Sequence, residues 1–165
     1  LGRYLMYYAS HWGTHIRLAH ANQLAGPWKL YHGQVLTLRS IPHCAGHVAS
    51  PDVHVNVAAR SVLMYFHCHP VGQGGAQWTY TARSADGLSF VADQPARPIR
   101  DFYFRQFEVN GTVYGIAKDS NNGGVLYKSA DGGANFVKLP GLLPRMRHAA
   151  VLVLGSRVVL FHTSI

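Results

Sequence analysis

His47-Val48-Ala49-Ser50-Pro51-Asp52-Val53-His54-Val55-Asn56-Val57 is polar where a buried strand would be apolar. From Asp52 onward the residues alternate. Asp52, His54 and Asn56 fall on one face of an extended chain and Val53, Val55 and Val57 on the other, because strand side chains alternate faces. The valine face suits a core. The opposite face offers a carboxylate, an imidazole and an amide in a row, which is a chemical surface. Pro51 has no N–H to give a ladder, so it is read as the start of the strand. The short turn Ala58-Ala59-Arg60 then leads into a second strand over 61–67. The polar row therefore lies on the first strand of an antiparallel hairpin.

Strand patterns continue on both sides of this hairpin. They fall at 3–9, 15–21, 34–38, 77–84, 102–109, 112–118, 124–129, 135–139, 148–154 and 157–163, rich in Tyr, Val, Phe, Thr and Ile. Asp86-Gly87, Asn110-Gly111, Asp131-Gly132-Gly133 and Gly155-Ser156 punctuate them as turns. A repeat lies underneath. Ser84-Ala85-Asp86-Gly87-Leu88-Ser89-Phe90 returns 45 residues later as Ser129-Ala130-Asp131-Gly132-Gly133-Ala134-Asn135-Phe136. An apolar hairpin precedes each copy. A hairpin, a third strand, an Asp-Gly turn and a fourth strand make one four-stranded unit, and this period is that of propeller blades. The fold class is all-β, a partial β-propeller, preferred over an open antiparallel sandwich because the turn holds its place in each unit. As one propeller domain, residues 1–45 form a partial blade, 46–97 and 98–140 two blades, and 141–165 the start of another. The chain begins at Leu1 inside one apolar run and stops inside another, which reads as a piece of a longer protein.

Hydrophobic content of 48% with 13% charged residues indicates a globular fold. No apolar run reaches the roughly 20 residues of a membrane span, so no membrane partner is expected. Eleven arginines and four lysines give a formal charge of +8, but they are scattered singly. Without a basic cluster to track a phosphate backbone, no nucleic-acid partner is expected. Cys44 and Cys68 fit neither a disulfide framework nor a Cys-x-x-Cys site, and their pairing depends on whether the two regions meet in the fold.

Acids are scarce, six Asp and one Glu. Asp86 and Asp131 are read as turn caps that accept hydrogen bonds from their own backbone. Asp52 stands where the first strand of a blade begins. Arg105 lies among aromatics in Phe102-Tyr103-Phe104-Arg105-Gln106-Phe107, and a charge there calls for a carboxylate partner, sugar hydroxyls or a ligand carboxylate. Met146-Arg147-His148 repeats the pattern of polar residues ahead of an apolar strand, so Arg147 and His148 are further candidates. Trp12, in the loop His11-Trp12-Gly13-Thr14-His15, can serve as a sugar-stacking platform. His67-Cys68-His69 sets two imidazoles on one face, with His47 and His54 as possible neighbours. A divalent metal such as zinc is the one cofactor these residues suggest, although their spacing matches no closed site.

Tyr7 to Ala19, Gly26-Pro27-Trp28 and His47 to His54 together resemble the five-bladed β-propeller glycoside hydrolases of the arabinanase, levansucrase and invertase superfamily, family 43 among them. Tyr103-Phe104-Arg105 and Met146-Arg147-His148 look similar too. The resemblance implies about three of five blades and a carbohydrate substrate. It also implies a channel lined by three acids from three successive blades. It maps the second of these, which orients the general acid and tunes its pKa, onto Asp52. The first-blade acid would precede Leu1. The third-blade Glu has no match, since Glu108 sits beside a turn and Arg105 occupies the neighbourhood. Glycosidases generally place an acid and a base or nucleophile about the scissile bond, so the pattern is incomplete.

The leading reading is a glycoside hydrolase-like protein acting on a glycan. Asp52, His54 and His148 are the catalytic candidates. His11, Trp12, His47, Tyr103, Arg105 and Arg147 are the substrate-binding candidates. The alternatives are a non-catalytic carbohydrate-binding propeller and a sialidase-like or metal-dependent propeller hydrolase.

Overall fold

The structure, a computed structural model, describes residues 2–165. It is all-β: fourteen strands and one short 3-10 turn, arranged as three four-stranded antiparallel sheets and one two-stranded sheet. The chain divides into two compact units, Leu1–Pro98 and Ile99–Ile165.

The first unit holds two sheets. In the first, β1 (Tyr4–Ala9) pairs with β2 (His15–Ala21), while the two-residue strands β3 (Lys29–Leu30) and β4 (Leu36–Thr37) share the other edge of β2. The 34–38 expectation thus resolves into a two-residue strand and the 3-10 turn Leu38–Ser40. The second sheet runs β5-β6-β7-β8, with β5 Cys44–Asn56, β6 Ser61–Pro70, β7 Trp78–Ser84 and β8 Val91–Ala92. Ile16, Leu18 and Leu36 of one sheet and Val48, Met64, Phe66 and Ala82 of the other share one core. Each large side chain buried this way contributes about 1.5–3 kcal/mol. Tyr7 donates its hydroxyl to the Gly87 carbonyl at 2.7 Å, pinning the first sheet to the turn of the second. Burial, and then the charge of Asp86, push that hydroxyl up to about 12.

β5 departs from the regular strand expected. It starts at Cys44, so Pro51 lies inside it and does not open it. The ladder to β6 slips between Ala45 and Val48 and again between Ala49 and Asp52. Pro51, which cannot donate, sits in the second slip beside Ser50, whose φ is 52°. The valine face is also only half a core. Val53 packs on it, whereas Val55 and Val57 are 70% and 82% exposed, because the tip of the hairpin runs past the packed layer. Cys44 and Cys68 do meet. They form a disulfide across β5 and β6, with Cα atoms 5.7 Å apart.

The second unit contains β9 (Phe102–Val109), β10 (Thr112–Lys118), β11 (Gly124–Lys128) and β12 (Val137–Leu143) in sequential order, and the hairpin β13 (Ala149–Leu154) and β14 (Arg157–His162). β12 begins two residues later and ends four residues later than the 135–139 expectation. Gly115 is required here. A Cβ at that position would stand 2.0 Å from the Phe104 ring, which lies across β10. Ile116, Met146 and Ala149 bind the hairpin to the four-stranded sheet, with Phe107, Leu143, Val151 and Leu160 packed about them.

The two Asp-Gly turns are built alike. Asp86 Oδ1 accepts from the Ser84 hydroxyl at 2.9 Å and the Leu88 N–H at 2.8 Å, while Ser84 Oγ accepts from the Gly87 N–H at 2.8 Å. Asp131 Oδ1 accepts from the Ser129 hydroxyl at 2.7 Å and the Asn135 N–H at 2.8 Å, while Ser129 Oγ accepts from the Gly133 N–H at 2.8 Å. The Asn135 side-chain amide donates to Asp131 Oδ2 at 2.6 Å, and this bond first, with those from the Asn135 N–H and the Ser129 hydroxyl, holds the Asp131 carboxyl down at about 2.

Candidate functional site

The carboxylates separate by their partners. Asp86 and Asp131 close turns. Asp93 accepts from the Thr81 hydroxyl at 2.7 Å and faces Arg83 Nε at 3.2 Å. Asp101, buried, accepts from the Tyr127 hydroxyl and from Lys138 Nζ at 2.7 Å. Asp119 holds its own loop through the Asn121 and Gly123 N–H groups, at 2.9 and 2.7 Å. Glu108 is exposed next to the Asn110-Gly111 turn. Asp52 differs from all of these. Its Oδ2 lies 2.8 Å from His54 Nε2, and both side chains are partly buried. Neighbours two apart on a strand share a face, and the slip at Ser50 and Pro51 sets which face that is. Tyr65 stands opposite Asp52 on β6 with its ring 5.9 Å from that of His54. Burial first, and then the Asp52 charge, raise the Tyr65 hydroxyl far above the ordinary tyrosine range.

A second group in the first unit collects imidazoles around an indole. Trp12, at φ 60° and 64% exposed, tops the loop between β1 and β2. The Gly13 carbonyl of that loop accepts the Val48 N–H at 2.9 Å, which ties the loop to β5. His47 falls in the first slip of β5 and is only 5% exposed. Its ring lies edge-on to Trp12 at 5.2 Å, to His67 at 5.1 Å and to His69 at 4.7 Å. Trp12 stacks parallel to His69 at 6.2 Å and meets His11 edge-on at 5.3 Å. His69 Nδ1 lies 2.7 Å from the Ala76 carbonyl, so that nitrogen carries a proton and donates it. His47 Nδ1 is buried and has no hydrogen-bond partner. Desolvation lowers the His47 pKa, and the neighbouring His69 and His11 lower it further.

Gly46 makes this cluster possible. Its φ is +73°, and a Cβ there would stand 2.9 Å from the His69 ring. Among the described residues no group of three or more His, Cys, Asp or Glu side chains is arranged to hold a metal ion. The rings meet through edges and faces, and their nitrogens do not converge.

The second unit has its own constellation. The β9–β10 ladder slips between the pairs Ile116–Arg105 and Lys118–Phe102, and Tyr103 sits in that slip at φ 56°. A non-glycine residue held there costs about 1–2 kcal/mol. In return the Tyr103 ring lies 4.2 Å from that of His148, which precedes β13, and 4.7 Å from Phe102. Lys118 Nζ stands 4.6 Å above the Phe102 ring and donates to the Asp119 carbonyl at 3.1 Å. Arg105 Nη1 donates to the Phe104 carbonyl at 2.8 Å. Burial lowers the His148 pKa, and the charges of Arg147 and Arg105 lower it further.

The candidate residues therefore fall into three groups. Asp52 with His54, and Trp12 with His11 and His47, belong to the first unit; Tyr103, Arg105, Arg147 and His148 belong to the second. Three members escaped sequence reasoning as site residues. Lys118 and Phe102 become neighbours only through a ladder slip. His69 was legible as a partner of His67, but not as the ring under Trp12.

No family model matches the chain. It is 29% identical over 138 residues to an uncharacterised protein of Acanthamoeba polyphaga mimivirus, covering 78% of this chain and 37% of that protein. In structure it superposes on the exo-β-1,3-galactanase of Phanerochaete chrysosporium in complex with β-1,3-galactotriose, with a TM-score of 0.76 at 13% identity. All of this chain and 42% of the galactanase are covered. The exo-β-1,3-galactanase of Clostridium thermocellum gives 0.75 at 17% identity, over 99% of this chain and 40% of that one. An α-L-arabinofuranosidase of Clostridium thermocellum gives 0.69 at 16% identity, over 96% and 56%. The chain thus spans about two-fifths of the length of the first two enzymes. Its four consecutive antiparallel sheets are part of the β-propeller fold of the family-43 glycoside hydrolases.

Proposed function

We propose that this chain belongs to a glycoside hydrolase-like protein that acts on a glycan, with Asp52 as the carboxylate that orients and tunes the protonating group. The observation that carries this reading is the Asp52–His54 pair at 2.8 Å, since the buried carboxylate, Asp101, is engaged by Tyr127 and Lys138. The fold it shares with enzymes crystallised with galactose-based ligands supports a carbohydrate substrate. His54 fixes the Asp52 carboxylate. Trp12, with its exposed indole beside His11 and His47, offers an apolar face for a sugar ring, and sugar C–H surfaces stack on such faces. Tyr103, Arg105, Arg147 and His148 offer donors for hydroxyl or acidic groups.

The test is hydrolysis by the protein and by its Asp52→Asn variant. Substrates are β-1,3-galactooligosaccharides and a panel of pyranosides and furanosides. Cleavage that falls by about a hundredfold or more in the variant supports the reading, this being the usual loss when acid–base function is impaired. Cleavage unchanged in the variant removes Asp52 from it.

A non-catalytic carbohydrate-binding protein is the second reading. The scarcity of acids favours it, because hydrolysis needs two suitably placed groups. Sugar binding without cleavage of any substrate in the panel would select it.

A further inference from the structure

Six asparagines lie in the chain, at positions 22, 56, 110, 121, 122 and 135. Only Asn110 has a serine or threonine two residues on, in Asn110-Gly111-Thr112. Asn-x-Ser/Thr, with x other than proline, is the acceptor pattern for N-linked glycans, and the modified side chain must stand at the surface.

The turn between β9 and β10 meets that condition. Val109 pairs with Thr112 across the ladder, so Asn110 and Gly111 form a two-residue connection. Their φ values, 49° and 73°, are both positive, which is the backbone Asn-Gly suits in such a hairpin. Both residues are exposed. A Cβ built on Gly111 would meet nothing within 4 Å, so the space about the tip is open. Two other asparagines have their side chains engaged. Asn56 Oδ1 accepts from the Ala59 N–H at 2.9 Å, and Asn135 Nδ2 donates to Asp131 at 2.6 Å. Among the described residues the Asn110 side chain forms no hydrogen bond.

An observation in the first unit points the same way. Cys44 and Cys68 are joined, and among the described residues no cysteine is free. Disulfides form and persist in oxidising compartments such as the endoplasmic reticulum lumen, and N-glycosylation belongs to proteins that pass through them.

We propose that Asn110 is the acceptor for an N-linked glycan, transferred from a polyprenyl diphosphate-linked oligosaccharide. In the transfer, Asn110 Nδ2 forms a bond to the anomeric carbon of the first sugar. The bond from that carbon to the diphosphate oxygen breaks, the lipid diphosphate leaves, and the amide gives up one proton. The Thr112 hydroxyl completes the recognised pattern. A glycan is bulky and solubilising, so it also keeps the β9–β10 tip clear of protein contacts. The site is independent of the substrate reading above.

The test is expression of the chain behind a cleavable leader in eukaryotic cells, with secreted and cell-retained protein both scored. Wild type should migrate as one glycan heavier than its peptide-N-glycosidase digest. Digestion in heavy-oxygen water should leave a labelled aspartate at position 110, which separates glycan removal from the unaided amide loss of Asn-Gly sequences. Asn110→Gln should migrate as the digest does. Thr112→Ala leaves the Asn110-Gly111 turn in place and should also abolish the shift, while Thr112→Ser should retain part of it. An unshifted wild type, or a shift that survives Asn110→Gln or Thr112→Ala, overturns the site.

Discussion

His54 reaches back along β5 to put its Nε2 2.8 Å from Asp52 Oδ2, two residues earlier on the same face. The contact joins a strand-borne imidazole to a carboxylate whose backbone is offset by the slip at Ser50 and Pro51. His54 is therefore a positioning residue for Asp52. If the glycan is cleaved, His54→Phe should lower kcat by about tenfold to a hundredfold with little change in KM, because orientation matters most in the transition state. His54→Gln, which keeps a donor, should recover part of that loss. Steady-state kinetics on the three proteins decide it. A change confined to KM would make His54 a ground-state sugar contact.

Trp12 tests the stacking platform separately. Its ring is largely exposed, so its removal sacrifices little core packing. Trp12→Ala should weaken oligosaccharide binding by about 1–2 kcal/mol, roughly tenfold or more, with an unchanged unfolding midpoint. Gly46→Ala should act on the same cluster from beneath. It forces a Cβ against His69 and demands a positive φ of a residue that resists it. A loss of about 1–2 kcal/mol in stability, with weaker sugar binding, is the expected result of chemical unfolding and titration. Wild-type behaviour from Gly46→Ala would show that the His69 ring is free to shift.

Much of the fold was open to a reader of the sequence because its signals are local. The Ser-x-Asp turns declare themselves in composition. Ser84 and Ser129 indeed close them with the hydroxyl bonds that such residues form. Strand alternation likewise located β5, β6, β9 and β10. The slips were not legible. Nothing in Ala45-Gly46-His47 or Phe102-Tyr103-Phe104 distinguishes a slipped ladder from a regular one, since the choice is settled by pairing with a distant strand. Those slips decide where His47 and Tyr103 point, so the candidate residues could be named while their neighbours could not. The exposed Val55 and Val57 show the converse failure. Alternation names a face, but whether anything covers it depends on the length of the opposing layer.

The buried His47 should make the first unit sensitive to mild acid. Desolvation leads in lowering its pKa, with His69 and His11 adding to it. His43, lowered by burial, contributes in the same direction. The unfolded chain takes up protons as pH falls through about 6.5, whereas the folded chain does not until its lowered pKa is reached. Stability should therefore be flat above about pH 7 and decline below about 6.5, by at most about 1.4 kcal/mol per pH unit for each such histidine. His47→Gln should reduce that slope. Thermal melts of both proteins from about pH 7.5 to 5 measure it, and equal slopes would contradict the assignment.

The Cys44–Cys68 bridge spans 24 positions of sequence and joins the first two strands of the second sheet, both ends buried. It closes a loop containing all of β5, the turn after it and β6 as far as Cys68, and so includes Asp52 and His54. Cross-linking a loop of that length removes unfolded-chain entropy worth about 3 kcal/mol. The mechanism acts on the unfolded state, so the double substitution Cys44→Ala with Cys68→Ala should lower the free energy of unfolding by about that amount. It should leave the Asp52–His54 pair in place once folded. Sugar binding at low temperature would then be retained while the urea midpoint falls. An unchanged midpoint would mean that the reduced chain is already constrained by residual hairpin structure. Lost binding in a variant shown by circular dichroism to be folded would mean that the bridge holds the geometry of β5 itself.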